Sequence, residues 1–177
     1  GTMAGLPHFR ESSFSGEYPL ARLNFSDEHF PGLVTLDAFN PFIPLNDKDS
    51  SLPCAFFEIG LENTTAEPIR YTVYFSLNNP LPKYTTVNSY GEEGAAKYIG
   101  LTSARLAGDD PLHGNLFLGT TAGDVSYQEY WYRFGWFDSL QTYWNDINCR
   151  GKLYNRRYSN MEKRGKPMEL DGDDMAT

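Results

Sequence analysis

The segment AFNPFIPLNDKDSSLPCAFFEIGLEN, residues 38–63, decides the fold because it joins two strand patterns through a loop bracketed by prolines. The first pattern, Leu33–Phe39, alternates in the manner of a strand, and the second resumes at Cys54. Pro41, Pro44 and Pro53 hold the acidic loop between them. We therefore predict a strand, a rigid loop and a second strand.

The length and composition favour one β domain. The chain has 177 residues, with 15% aromatic residues, 16 Gly and 11 Pro. Aromatic residues suit pleated surfaces, and frequent Gly and Pro indicate frequent turns. We predict a single domain over residues 1–177, with a lead segment at 1–16 and a polar loop or partly disordered tail at 150–177.

Short strands separated by turn signals predict an all-β, antiparallel sandwich. The further predicted strands are residues 18–25, 55–62, 69–77, 84–87, 97–106, 115–121 and 126–134. The strands at 55–62 and 69–77 are predicted to form a hairpin around the polar turn at 63–68. Apolar residues spaced by three and four predict one short helix near 137–147.

The charge of the chain excludes nucleic acid as its main partner. The net charge is −8 and the pI is near 4.8, whereas phosphate binding requires an excess of Lys and Arg. The same sign disfavours anionic lipid. The tail is locally basic, but no aromatic strand accompanies it, so we interpret it as a solvated linker. Its basic residues are Lys152, Arg156, Arg157, Lys163, Arg164 and Lys166.

The two cysteines indicate a reducing, cytoplasmic location. Cys54 and Cys149 form neither a disulfide framework nor a CxxC metal motif. Cys54 lies in an apolar strand pattern and is predicted to be a small buried hydrophobe. The sequence contains no run long enough to span a membrane and no apolar signal core. Residues 1–3 are interpreted as an expression scar.

The acidic loop resembles a calcium loop only superficially. Oxygen-bearing side chains alternate from Asn46 to Ser51, but Leu52 occupies the position at which a sharp turn requires Gly. Pro53 and a strand follow. We predict instead an Asx-type turn in which Asp47 and Asp49 bond nearby backbone amides.

No spacing in the chain indicates a catalytic centre, a metal or a cofactor. His8, His29 and His113 are isolated and share no ligand spacing. Carboxylates are abundant, but no pair is singled out for glycoside hydrolysis. We therefore predict no catalytic residue, no metal and no cofactor.

The aromatic segment YQEYWYRFGWFDSLQTYW, residues 127–144, is the best candidate binding surface. It contains three Trp and four Tyr. Aromatic faces stack on sugars and also anchor protein interfaces. The candidate carbohydrate- or domain-interface-binding residues are Trp131, Tyr132, Trp136 and Trp144. The alternative is that one side of the segment packs in the core while the other meets a neighbouring domain.

Three short motifs carry a resemblance to a known family. They are YPLA at residues 18–21, DAFNPFIP at 37–44 and DSSLP at 49–53. With FSLNN at 75–79, the chain resembles the N-terminal domain of the non-lysosomal glucosylceramidase, or bile-acid β-glucosidase, family, glycoside hydrolase family 116. The resemblance implies a β-sandwich of the galactose-mutarotase-like supersandwich kind, truncated here so that edge strands are exposed.

The resemblance also implies where the chemistry lies. In that family the sandwich precedes an (α/α)6-barrel that carries a Glu nucleophile and an Asp acid/base, and nothing in this chain resembles the barrel. The leading hypothesis is a non-catalytic fragment that supports this absent barrel. The expected partners are the barrel domain, a carbohydrate, and a second copy paired through exposed edge strands. The alternatives are a free-standing carbohydrate-binding module and a protein-interaction domain.

Overall fold

The fold is all-β, with antiparallel sheets and two short helices. The computed structural model describes residues 5–82, 85–131, 139–156 and 175–177. Its strands form antiparallel sheets without barrel closure in the described residues. The prediction of an all-β, sandwich-like fold is therefore confirmed. The chain divides into two compact units, Gly1–Tyr71 and Thr72–Thr177. That these units form one domain stays a prediction.

The first unit contains a four-stranded antiparallel sheet whose strands follow one another in sequence order. The strands are β1 (Glu11–Glu17), β2 (Leu20–Ser26), β3 (Leu33–Phe39) and β4 (Phe56–Glu62). The register aligns Phe14, Leu23, Leu36 and Ile59 across the sheet. Since directly opposed residues share a face, this row defines one side of the sheet.

The two faces of this sheet differ in character because side chains alternate along each strand. One face, here the apolar face, carries Phe14, Leu23, Phe25, Val34, Leu36, Phe57, Ile59 and Leu61. The opposite face, here the polar face, carries Glu11, Ser13, Arg22, Asn24, Thr35, Asp37, Glu58 and Glu62, with apolar Leu20, Leu33, Phe39 and Phe56 at its two ends. The period-2 pattern of the sequence therefore sets the sidedness of the sheet.

The loop between β3 and β4 contains a single helical turn, α1 (Asp47–Ser50). The side chain of Asn46 caps it by accepting a hydrogen bond from the Asp49 N–H at 3.1 Å. The Asx-type turn is therefore made by Asn46, and the prediction that Asp47 and Asp49 bond the backbone is wrong. Ser50 Oγ also accepts from Ile43 N–H at 2.9 Å, which ties the start of the loop to α1.

Three predictions for the first unit are corrected by the structure. The lead segment contains β1. Its serine-rich sequence gives little indication of a strand, which forms by pairing with β2 along its whole length. The predicted strand at 69–77 and its hairpin are wrong. β4 pairs with β3, and no strand forms between the end of β4 and Leu77. Cys54 is exposed, not buried, since it precedes β4 and belongs to the loop.

The second unit contains a three-stranded sheet, a two-stranded sheet and one helix. The elements are β5 (Leu77–Asn78), β6 (Val87–Glu93), β7 (Ala96–Thr102), β8 (Asn115–Thr120), α2 (Ser139–Arg150) and β9 (Met175–Ala176). Gly94 has a φ of 60° in the two-residue turn that joins β6 to β7. Only glycine adopts this backbone conformation without strain, which makes the tight hairpin accessible.

Five predictions for the second unit have mixed outcomes. The strands at 97–106 and 115–121 correspond to β7 and β8, and the helix near 137–147 corresponds to α2. The strand placed at 84–87 lies instead at β6. The strand at 126–134 is wrong over 126–130, where no strand forms. Residues 132–138 and 157–174, which include part of this strand and most of the predicted tail, lie outside the described residues.

The end of the chain belongs to the core of the second unit. Ala176 in β9 pairs with Leu77 in β5 and is fully buried with Ile99 and Leu101. Thr177 exchanges two backbone hydrogen bonds with Gln128, at 2.8 and 3.0 Å. The prediction of a polar or partly disordered tail is therefore wrong for residues 175–177.

Candidate functional site

Trp131, the first of the predicted binding residues, lies in the core of the second unit. Its side chain is only 3% exposed, and its ring stacks on Tyr143 with centroids 3.9 Å apart. Its indole Nε1–H donates to Thr177 Oγ1 at 2.8 Å. A ring that is covered on its face and bonded at its nitrogen anchors the fold.

The other predicted binding residues are placed less completely. Trp144 is half-buried on α2. Tyr132 and Trp136 lie outside the described residues. The binding role of the four aromatic residues therefore stays a prediction.

A buried amide network beside the aromatic segment was missed by sequence reasoning. Asn88 is 3% exposed; its Nδ2 donates to the Glu129 carbonyl at 2.8 Å and its Oδ1 accepts from Asn79. Glu129 accepts the Tyr90 N–H through one carboxylate oxygen and the Asn155 amide through the other. These residues satisfy one another's buried polar groups, as close packing requires. No local pattern reveals them, because they are far apart in sequence.

The polar face of the first unit's sheet carries one well-formed ion pair. The Arg22 guanidinium donates through Nε and Nη2 to the two oxygens of Asp37, both at 2.6 Å. This hydrogen bonding holds the pKa of Asp37 below its usual value. The pKa of Asp27 is also lowered, chiefly by the backbone N–H of His29. A general acid for glycoside hydrolysis requires the opposite shift.

The Asp37 pair leads to a titration prediction. In Arg22→Gln, the carboxyl pKa of Asp37, followed by 13C NMR, is expected to rise toward the ordinary range of an aspartate side chain. Because folding lowers this pKa, the pair stabilises the fold fully at pH values above the pKa of the unfolded chain. The stabilisation is lost as the pH falls through the pKa of the folded chain. Arg10→Gln is the matched control, because Arg10 pairs with Glu28 instead. An equal pKa in the wild type and Arg22→Gln contradicts the assignment.

The apolar face of the same sheet is open to solvent at both edge strands. Phe14 on β1 is 69% exposed, and Phe57, Ile59 and Leu61 on β4 are 48%, 38% and 38% exposed. An apolar surface of this extent on a folded domain indicates an interaction site.

The described residues show neither a metal-binding cluster nor a membrane-spanning helix. Within residues 5–82, 85–131, 139–156 and 175–177, no three His, Cys, Asp or Glu side chains are grouped to hold a metal ion. None of the helices in the part of the chain that is described combines the length and apolar character needed to cross a membrane.

Comparison with known proteins identifies the family. The model of the glycosyl hydrolase family 116 N-terminal domain, described for beta-glucosidase 2, matches residues 4–176. No curated protein matches the chain significantly. The chain belongs to glycosyl hydrolase family 116, as an N-terminal domain, and the resemblance found in its sequence is confirmed. It is therefore a β-rich N-terminal domain of a glycoside hydrolase of the β-glucosidase kind.

Proposed function

We propose that this chain is a non-catalytic domain that supports the catalytic domain of a β-glucosidase- or glucosylceramidase-like enzyme. The observation that carries the proposal is the exposed apolar face of the sheet formed by β1–β4. Burial of apolar surface stabilises association by about 25 cal/mol per Å2. A domain that leaves such a face open is suited to dock against another protein surface.

The chemistry of this face favours a protein partner. Its side chains are aliphatic and aromatic, which matches the core of a domain interface. The chain has a net charge of −8, which opposes docking on anionic lipid. A catalytic domain of the same protein is always present at high effective concentration, so modest complementarity is sufficient for stable docking.

The acidic residues of the described sheet support a non-catalytic role. Asp37 is committed to Arg22, and the lowered pKa that results keeps it ionised. Glu58 lies beside them in the same cross-strand row, on an exposed strand. A row that lies on the open face of a sheet lacks the apolar enclosure that raises the pKa of a catalytic acid.

The first test is an activity assay on the purified chain. We expect no hydrolysis of an aryl β-glucoside above the buffer rate, because the pKa values of Asp27 and Asp37 are lowered, whereas a general acid requires a raised pKa. A full-length enzyme of the family is the positive control. Saturable turnover by the purified chain, retained through further purification steps, contradicts the proposal.

The second test measures the open apolar face directly with the hydrophobic dye ANS, which binds exposed apolar surface. We expect the wild type to bind dye and Ile59→Ser to bind less, because Ile59 lies on the apolar face. Glu58→Ser is the matched control, since its side chain lies on the opposite face of the same strand. Equal dye binding by all three proteins contradicts a docking role for this face.

A second copy is the competing occupant of the face and of the open β4 edge. Sedimentation of the purified chain at increasing concentration distinguishes docking of a catalytic domain from self-association. A concentration-dependent dimer that Ile59→Ser abolishes assigns the face to self-association in place of domain docking. We expect a monomer, because stable homodimers with apolar interfaces normally bury a larger area than this single sheet face offers.

The location of the protein forms part of the proposal. Cys54 and Cys149 are both free and exposed thiols. Exposed thiols persist in a reducing environment, so we place the protein in the cytoplasm.

A further inference from the structure

A trough crosses the polar face of the sheet formed by β1–β4, at right angles to the strands. It has a volume of about 480 Å3. Its rim is a row of residues at the strand ends, Glu11, Ser26, Leu33 and Glu62. The neighbouring row consists of small or polar residues, Ser13, Asn24, Thr35 and Gly60. This low row and the backbone between the two rows form the floor.

The trough exists because the second row lacks long side chains. Gly60 has none, and a Cβ added there would collide with Thr35 Oγ1, so the Thr35 hydroxyl occupies the space over Gly60. Charged side chains usually cover the solvent face of a sheet with their stems. The next row, which contains Arg22, Asp37 and Glu58, does so here. The cavity is therefore a consequence of residue choice along one row.

The dimensions of the trough follow from sheet geometry. Four strands spaced by about 4.8 Å give a length of about 14 Å. Two residues along a strand span about 7 Å, which sets the separation of the two rows. The volume lies within the range of about 300–1,000 Å3 that is typical of small-molecule sites. A narrow trough of this length suits a short, linear ligand.

Hydrogen-bonding groups in the trough remain available to a ligand. Asn24 Nδ2 donates to Ser13 Oγ at 3.2 Å, which leaves Asn24 Oδ1 as an acceptor and the Ser13 hydroxyl as a donor. Within the described residues, neither the Thr35 hydroxyl nor the carboxylates of Glu11 and Glu62 form a hydrogen bond or an ion pair. The trough thus presents donors and acceptors side by side.

The composition of the trough excludes two classes of ligand. Its only formal charges are those of Glu11 and Glu62, which repel phosphate and other anions. Its floor cannot add an extended peptide by strand pairing, because the backbone groups there already bond between strands. Recognition must therefore use hydroxyl, amide and carboxylate side chains.

We propose that this trough binds a neutral, polyhydroxylated ligand, a short saccharide. Sugar hydroxyls act as donor and acceptor at once, and they match the mixed set offered by Ser13, Asn24 and Thr35. The carboxylate of Glu62 accepts from further hydroxyls at the end of the trough. Leu33, which is 44% exposed, provides an apolar contact for a ring face. The site lies on the face opposite the proposed docking surface and goes beyond that function.

NMR titration of the whole chain with cellobiose tests the proposal. We expect saturable shifts of the Asn24 side-chain amide and of the Thr35 and Gly60 backbone amides, with a dissociation constant of about 1–10 mM. Such weak binding is typical of a shallow, water-filled site. Glucose 6-phosphate, whose charge the two glutamates repel, is expected to bind more weakly than glucose.

Variants connect the binding to the trough. Asn24→Ala and Thr35→Val are each expected to weaken cellobiose binding about tenfold, through loss of hydrogen bonds. Ser15→Ala, on the same face but outside the trough, is the matched control and is expected to bind normally. Gly60→Leu is a second route, because its side chain fills the trough and is expected to abolish binding. Circular dichroism of each variant confirms that the fold is retained.

Two outcomes overturn the proposal. One is the absence of shifts at about 100 mM cellobiose, well above the expected dissociation constant. The other is a set of shifts confined to the aromatic residues 127–144, which would assign sugar binding to that segment. Neither outcome affects the docking proposal, since ANS binding and Ile59→Ser report on the opposite face.

Discussion

Trp131→Ala is expected to lower the free energy of unfolding of the second unit by about 3–5 kcal/mol. The substitution removes a ring that is 3% exposed and stacked on Tyr143, and it leaves a cavity between α2 and the chain's last residues. All three tryptophans of the chain lie in this unit. Urea unfolding followed by the fluorescence of the remaining tryptophans therefore reports on this unit alone.

Trp131→Phe is the matched control for this prediction. It retains a stacked ring and loses the hydrogen bond from Nε1 to Thr177, so we expect a smaller loss of about 1–2 kcal/mol. Thr177 Oγ1 keeps its hydrogen bond with Ser76 at 2.7 Å. If Trp131→Ala unfolds like the wild type and loses sugar binding instead, then Trp131 acts as a stacking platform.

Ala176→Asp is expected to destabilise the same unit by about 3 kcal/mol or more, because it places an unpaired charge at a fully buried position. Ala176 is 0% exposed and packs with Ile99 and Leu101 where β9 pairs with β5. The expected measurement is an earlier urea midpoint in both tryptophan fluorescence and far-UV circular dichroism.

The Ala176 prediction also has a matched control and a contradicting result. Ala176→Ser adds one hydroxyl at the same site and is expected to cost about 1–3 kcal/mol, less than the charge. If Ala176→Asp leaves the midpoint unchanged, residues 175–177 do not contribute to the core in solution. The pairing of β9 with β5 would then be wrong.

The alternating pattern at residues 69–77 shows where local sequence reasoning fails. The pattern places Tyr71, Val73, Phe75 and Leu77 on one side, yet Val73 is 49% exposed while Tyr74 and Ser76, from the other side, are half-buried. Yet the two compact units divide between Tyr71 and Thr72. Tyr71 contacts Phe30, while Ser76 bonds Tyr143 and Thr177. Burial in this segment and the pairing of a strand both depend on distant segments, which the alternation does not contain.

The β1 strand and the acidic loop illustrate the two opposite outcomes. β1 is exposed along its whole length and rich in serine, so its strand conformation depends on the ladder that β2 provides. The loop between β3 and β4 was predicted as a rigid, non-metal corner because of its prolines and Leu52. Its turn was assigned to the aspartates, whereas Asn46 makes the cap. Neighbouring Asx residues compete for the same backbone amides, and local geometry selects one.

The candidate sites show the same division. The aromatic segment stands out in the sequence, but its composition does not reveal that Trp131 is buried and donates a hydrogen bond to Thr177. The trough has no signal in any single strand, since Ser13, Asn24, Thr35 and Gly60 become neighbours only through the register of four strands. Its residues are ordinary in isolation, and the cavity arises from their alignment.

The sequence by itself determined the family, the all-β class and the sidedness of β3 and β4, because each follows from short motifs or from a period of two residues. The tertiary structure alone decided which strands pair, that the final residues enter the core, and which polar side chains line the trough. The physical reason is that side-chain alternation is a property of one strand. Pairing and burial depend on contacts between segments far apart in the chain, whose relative energies no local pattern contains.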